Sequence, residues 1–524
     1  MRDTYPKIIE DENNTSSLCV NLGETDKPTW FLPKHLWGFP NQLYKQKLTG
    51  DQTTKMLEHA SLQPEQNRYA ILTDGLRALG ITRNANGTAS VPSVLSNSGV
   101  SLTPKMLEVP ARQSPSPVIA YRSNGEVTPG QGKWSNRDQQ FINTARGFDG
   151  DVQFLVAGKA LDYSDSDKTY IQAFRTGIKR LGIKTTAGQQ VRVVENVRRL
   201  DVTSRNTIHK DLSDINARKQ IGLFVLIMLK DNKEPRGTYA DFKSVAEQDL
   251  GVRTLCFNEA RMRGSVPKHA KDNKTCTAGN LASYMANIAM NLNSRLGNTN
   301  HSLISASLNP LKSDQHGGTM IIGIDVTHPS AGSLEGAPSV VAVVASMDGH
   351  FGFFRGAMRC QWKHGAGSVE IVQQEHPRPM VSYLLTMYQR KNNSFPSKIL
   401  VYRDGVSESQ YDDARNIEAD AIRQAWKIAS KRAVEELKMT FVIATKRHNT
   451  RFYPTDPWAD NAPITANTYN CLPGTIVESG ITHPHHFDFF LLSHNGLTGT
   501  ARPTHYIVLE NGMGLNAKQM QDLT

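Results

Sequence analysis

An α/β fold resting on parallel strands is predicted by three features of the sequence. From about residue 150 onward, short apolar runs alternate with stretches of helical periodicity, the pattern of strand–helix–strand units. One run, Ile221-Gly222-Leu223-Phe224-Val225-Leu226-Ile227-Met228-Leu229, is half the length a membrane span needs and reads as a strand covered on both faces. Two more runs, Met320 to Asp325 and Lys398 to Asp404, each end abruptly in an aspartate followed by a turn. Buried strands deliver side chains to a sheet edge in this way.

Taken in order, the chain opens with Trp30-Phe31-Leu32-Pro33-Lys34-His35-Leu36-Trp37, too apolar for a free terminus and expected to pack on a domain. Residues 84–134 are dense in Ser, Pro, Gly and Asn and read as an extended connector. Val152–Val156 and Gly222–Leu229 are predicted strands, with a helix over Thr169–Leu181 between them. Asp241–Leu250, closed by Gly251, and Leu281–Leu296, closed by Gly297, are further helices; Leu281, Ile288, Leu292 and Leu296 share one stripe of the latter. A second α/β unit starts at Gly318. After Asp404, Ser407-Glu408-Ser409-Gln410 has capping-box spacing and opens a helix predicted to run to about Lys438. The sequence carries no internal repeat.

The 524 residues suffice for two to four domains, and 21% charged with 38% apolar residues is an ordinary globular balance. A net charge of +11 favours a polyanionic partner. Five cysteines, odd in number and without a C-x-x-C pair, argue against a disulfide framework or a zinc site and fit a reducing compartment. No apolar signal segment is visible in the first thirty residues, and nothing suggests a membrane partner.

Two carboxylates at neighbouring strand ends can hold a pair of hard divalent cations against a phosphodiester, which makes Asp325 and Asp404 the candidate metal ligands. A third carboxylate normally completes such a shell, and Glu335, Asp348, Glu370 and Glu375 lie between them. Tyr239 and Lys243 are spaced to share one face near a helix start, where unpaired N–H groups favour a phosphate and an aromatic can stack on a base. Lys446-Arg447-His448-Asn449-Thr450-Arg451, with His494 and Arg502, forms a basic strip suited to a nucleic-acid backbone. The His483-Pro484-His485-His486 cluster is rejected as a metal site, because the proline spoils the ligand geometry.

Three strings occur in order: Asp325-Val326-Thr327-His328-Pro329, Tyr402-Arg403-Asp404-Gly405-Val406-Ser407-Glu408, and Ser493-His494-Asn495-Gly496 through Gly499-Thr500-Ala501-Arg502-Pro503-Thr504-His505-Tyr506. Together they closely resemble the PIWI domain of eukaryotic, fungal-like Argonaute proteins. The resemblance covers nearly the whole chain and is strongest from 318 to 510. It implies the end of a PAZ-like region at 1–45, a linker at 46–149, a Rossmann-like MID domain at 150–305 and an RNase H-like PIWI domain at 306–524.

By the same resemblance, Glu370 is the mobile glutamate finger, with Glu375 as runner-up, and Asp325, Glu370 and Asp404 are catalytic. The family's fourth ligand is a histidine beyond Thr524, a role that does not transfer to His505, so the chain is expected to be a fragment at both ends that cuts poorly by itself. Tyr239 would stack on the first guide nucleotide, Lys243 and Arg295 would bind its 5′-phosphate, and Lys446, Arg447, Arg451, His494 and Arg502 would contact the guide backbone. The chain departs from the family pattern at Leu255 (usually Gln) and Asn291 (usually Lys), leaving guide anchoring weaker or differently arranged, at Asn449 (usually His), and along 362–367 around Glu370.

The resemblance implies an Argonaute that binds the 5′ end of a small guide RNA, pairs it with complementary target RNA and cuts that target with Mg²⁺ (or Mn²⁺), by metal-activated water, leaving 3′-hydroxyl and 5′-phosphate ends. The rival is a guide-binding silencing factor that does not cut. A cytoplasmic location is expected, with a nuclear one and silencing-complex partners left open.

Overall fold

The structure is a computed structural model. It describes residues 20–21, 27, 29–31, 48, 50–84, 88–136, 139–144, 147–157, 165–228, 237–258, 278–304, 306–312, 317–329, 333, 336–362, 370–373, 375–455, 464–465, 468–496 and 498–524. The chain divides into two compact units. The smaller, residues 1–53 with 330–335, is described chiefly at an antiparallel ribbon pairing Val20–Asn21 with Trp30–Phe31. Trp30, expected to pack, is about half exposed, and 32–37 lie outside the described residues.

The larger unit, 54–329 with 336–524, contains two substantial sheets. The first is entirely parallel, with strands β1 (Asp151–Ala157), β2 (Arg198–Leu200), β3 (Ile221–Met228) and β4 (Arg253–Asn258) in the order β4-β3-β1-β2. Helices α1 (Asp165–Arg180), α2 (Arg205–Arg218), α3 (Thr238–Lys243) and α4 (Ala278–Arg295) cover it. Phe154, Phe174, Phe257, Met285 and Leu292 fill one face; Leu155, Leu212, Phe224, Phe242 and Val245 fill the other. Burial on both faces explains why β3 is apolar without alternation.

The second sheet is mixed. Its strands are β5 (Thr319–Thr327), β6 (Ser339–Ser346), β7 (Phe354–Gln361), β8 (Lys398–Asp404), β9 (Lys438–Thr445), β10 (Thr475–Val477), β11 (Phe487–Leu492) and β12 (Thr504–Asn511). The order is β7-β6-β5-β8-β9-β12-β11-β10, and the short strand Arg112–Gln113 pairs with β10 as a ninth member. The segment read as a bare connector thus completes the sheet's far edge, since a two-residue strand leaves no periodicity to detect. Only β5–β8 and β8–β9 are parallel.

Helices α5 (Pro377–Asn392) and α6 (Asp420–Ser430) cover one face, packing Leu384, Leu385, Ile422 and Trp426 on Ile322, Ile324, Val401 and Phe441. The Trp426 indole donates to the Pro396 carbonyl at 2.6 Å, so its one polar atom is satisfied in the core. The helix predicted to reach Lys438 stops at Ser430. Lys431 adopts the left-handed conformation (φ 58°) that ends helices, and Lys438 opens β9 instead. The helix expected at 241–250 begins at Thr238, and Ser244–Asp249 continues it as a wider π turn.

Candidate functional site

Strand register brings the two aspartates together. Ile324 of β5 lies opposite Arg403 of β8, so Asp325 and Asp404 are the next step along adjacent parallel strands. Alternation places Ile324 and Val401 in the helix-covered core, whereas Leu400, Ile321 and Tyr402 pack on the opposite face. Both aspartates therefore share that opposite face, at the carboxyl ends of the strands, and both are exposed. Burial, then the charge of Asp325, pushes the Asp404 carboxyl up; Lys446, Arg447 and a hydrogen bond from the Gly405 N–H act against the shift. The basic strip thus flanks the acidic pair, because β9 runs parallel to β8 and Lys446 follows its end.

Glu370 reaches this corner from the segment before α5. Its Oε1 accepts from Arg403 Nη1 at 3.1 Å, and its Oε2 lies 2.7 Å from His328 Nε2. Arg403 is fully buried, and it donates also to both Glu418 oxygens, at 2.8 and 3.1 Å. Burial alone would favour a neutral guanidinium, but the charges of Glu418 and Glu370 outweigh it and hold the arginine protonated. Glu418 in turn accepts from the Val372 N–H at 2.8 Å, tying the 370–373 segment to the helical stretch that carries it. Among the described residues, no three His, Cys, Asp or Glu side chains converge as a metal-holding group. Asp325 and Asp404 come together, while the Glu370 carboxylate is engaged by Arg403 and His328. Glu375 is exposed beside His376, Asp348 accepts from the Thr299 hydroxyl elsewhere, and Glu335 lies outside the described residues.

Gly405 is the joint between these parts. Its φ is +90°, and a Cβ there would stand 2.8 Å from Glu370 Oε1, on a carboxylate held by Arg403 at that oxygen and by His328 at the other. Gly405→Ala is expected to cost about 1–3 kcal/mol and to displace Glu370; a urea unfolding curve matching wild type would refute the contact.

The sequence singles out Asp325, Asp404 and Glu370 but not Arg403 and His328, which hold Glu370, nor Glu418, which holds Arg403. Two of those sit inside the quoted motifs, so a charge set in an apolar strand (Arg403) was the available signal.

The other predicted residues fall in two places. Lys243 donates to Thr254 Oγ1 at 2.6 Å and to Glu247, and Arg295 donates to the Thr254 carbonyl at 2.9 Å and approaches Glu247 at 3.5 Å. Burial would raise the Glu247 carboxyl, but hydrogen bonds from Lys243 and Thr254 and the charges of Lys243 and Arg295 hold it below the usual value. Tyr239, one turn before Lys243, is half exposed. Leu255 is buried in the core, so it lies away from this surface, while Asn291 is exposed. In the basic strip, Arg502 donates to the Lys446 carbonyl at 3.3 Å, and Arg451 donates to the carbonyls of His448 and Thr450. Burial and the Arg502 charge both depress the Arg451 pKa, so these cations crowd one another. His494 lies just past β11, its ring 3.2 Å from the Ser493 hydroxyl.

A model of the Piwi domain matches residues 223–524, more than half of the chain. The chain belongs to the Argonaute family. It is 30% identical over 525 residues to Protein argonaute 5 of Arabidopsis thaliana, a match covering 97% of this chain and 48% of that protein. Among solved structures it resembles the Kluyveromyces polysporus Argonaute with a guide RNA, with a TM-score of 0.73, 22% identity and coverage of 96% of this chain and 54% of that one. The C-terminal lobe of a budding yeast Argonaute gives a TM-score of 0.63 at 22% identity, covering 79% and 82%. The parallel sheet is the Rossmann-like MID fold and the mixed sheet the RNase H-like PIWI fold. The chain spans about half the length of the curated relatives it matches.

Proposed function

We propose that this Argonaute binds the 5′ end of a small guide RNA and directs silencing of complementary RNA, with Mg²⁺-dependent cutting of the paired target. The observation that carries the reading is the pair of exposed aspartates on adjacent parallel strands, flanked by Lys446 and Arg447. The donor chemistry fits a hard divalent cation: two carboxylates whose mutual repulsion, visible in Asp404, a cation would relieve. Asp325 and Asp404 would hold Mg²⁺ (or Mn²⁺), which when bound neutralises phosphodiester charge and acidifies a bound water. Glu370, held by Arg403 and His328, is the third carboxylate of the reading. Lys446, Arg447, Arg451, His494 and Arg502 would position the guide backbone without reading its sequence.

The guide's first nucleotide would meet Tyr239, Lys243 and Arg295. A 5′-phosphate arriving there competes with Glu247 for the same two cations. Lys243→Ala is expected to weaken binding of 5′-phosphorylated RNA by about ten- to a hundredfold, the loss of a charge-assisted contact of about 1.5–3 kcal/mol. It should leave 5′-hydroxyl RNA nearly unaffected. Filter binding with both RNAs checks this, and equal affinities for the variant and wild type would place the phosphate elsewhere.

The second reading, guide binding without cutting, is favoured by the engagement of the Glu370 carboxylate with Arg403 and His328 rather than with the aspartates. A cleavage assay on guide-paired target RNA in Mg²⁺, with the protein extended to the length of its relatives, separates the two. A cut dependent on both aspartates supports the first; binding with no cut in Mg²⁺ or Mn²⁺ supports the second.

A further inference from the structure

A cavity of about 660 Å³ is lined by Arg253, Arg295 and Arg355 together with Phe353 and Tyr383. The aspartate pair does not border it. It forms where β4, the edge strand of the parallel sheet, and the C-terminal end of α4 approach β7, the edge strand of the mixed sheet. Its size lies within the range of about 300–1,000 Å³ typical of small-ligand sites.

The charge balance is the telling property. Among the described residues, no aspartate or glutamate lines the cavity. Some arginines elsewhere on the fold find carboxylates, Arg175 with Glu195, Arg205 with Asp249 and Arg423 with Glu510, whereas Arg451 and Arg502 in the basic strip meet carbonyls instead. Here Arg253 makes no ion pair among the described residues. Arg355 meets the Met387 sulfur at 3.4 Å and the face of Phe353 at 5.9 Å, neither of which neutralises it. Arg295 reaches a carboxylate at 3.5 Å, but Glu247 is shared with Lys243. Lys391 lies on the Phe353 ring, 4.6 Å from its centroid, and its charge is shared with Asp348 at 3.8 Å. Like charges gathered around one concavity raise the local potential and attract an anion. Planar guanidinium forks match phosphate oxygens in pairs, and Tyr383, nearly half exposed, offers an aromatic face beside them.

We propose that this cavity binds a phosphate-bearing ligand of nucleotide size, with Arg253, Arg295 and Arg355 taking the phosphates and Tyr383 stacking on the base. Arg295 is shared with the guide-phosphate reading, so the test rests on Arg253 and Arg355, which are not. The phosphates can belong to a free nucleotide or to a nucleic-acid strand.

Isothermal titration of the whole chain with ATP, and separately with a ten-nucleotide 5′-hydroxyl RNA, distinguishes the sources. Arg253→Ala and Arg355→Ala are each expected to weaken ATP binding tenfold or more, and Lys243→Ala to leave it unchanged. Both arginines are at least partly exposed, so the variants should fold, and circular dichroism melting verifies it. If ATP is not bound but the double variant weakens the RNA at least tenfold, the ligand is a strand and the phosphate assignment holds. If neither probe responds to the double variant or to the charge-reversing Arg253→Glu, the proposal is overturned. Loss of 5′-phosphorylated RNA binding in Lys243→Ala alone reports on the guide site and leaves this cavity untouched.

Discussion

Arg403→Ala is expected to destabilise the fold by about 3–5 kcal/mol, the range for removing one partner from a buried ion pair. The guanidinium is fully buried, as is Glu418, and Glu370 is nearly so. Without it, two carboxylates are left in a core with their charges uncompensated. They would then hold protons more tightly in the folded than in the unfolded chain, so the folded variant binds the extra proton. Its stability deficit should therefore shrink as pH falls through the carboxylate range and grow as pH rises. Urea unfolding at pH 5 and pH 7.5 reads both effects. A variant within about 1 kcal/mol of wild type at pH 7.5 would show that the three-residue clamp carries no structural load. Arg403→Met combined with Glu418→Leu should recover much of the loss, because an apolar replacement of similar volume removes the stranded charge. The loss should appear in function too, since the clamp is what holds Glu370 beside Gly405.

The second large effect concerns the aspartate pair. Asp325→Asn and Asp404→Asn are each expected to reduce Mg²⁺-dependent cutting of a guide-paired target by at least about a thousandfold, since a metal's charge stabilisation is several kcal/mol and each 1.36 kcal/mol is a factor of ten. Guide binding should be spared, because Tyr239 and Lys243 sit on the other sheet's helix. A readout independent of cutting is stability. Saturating Mg²⁺, at about a hundred times its Kd, should stabilise the wild-type chain by about 2.7 kcal/mol and neither variant.

Without divalent cations the sign reverses for Asp404. Its folded-state pKa is raised by burial and by Asp325, so the folded chain binds its proton more tightly and loses stability as pH rises through the carboxylate range. Asp404→Asn should remove that slope and leave the cation-free protein slightly more stable at neutral pH. Cutting that survives both substitutions would remove the aspartates from the chemistry. Mg²⁺ stabilisation without any cut would favour the guide-binding reading.

The sequence by itself makes legible the strands that end in Asp325 and Asp404, the doubly covered run at 221–229 and the helices at 169–181 and 281–296. Those features are local: an apolar run, a charge and a turn within ten residues decide them. It misjudged the helix after Asp404, because a left-handed Lys431 carries no composition signal, and it left 112–113 in a connector. Strand register is settled by long-range packing instead. Whether two aspartates 79 residues apart share one face of a sheet depends on a long-range parallel pairing, and a slip of one residue would send them to opposite faces. The buried clamp of Arg403, Glu370 and Glu418 is of the same kind. In the sequence these are three ordinary charges, and they become a structural element only where packing removes water from all of them. The arginine cavity goes furthest in this direction, since Arg253 and Arg355 belong to edge strands of different sheets and meet only when those edges come together.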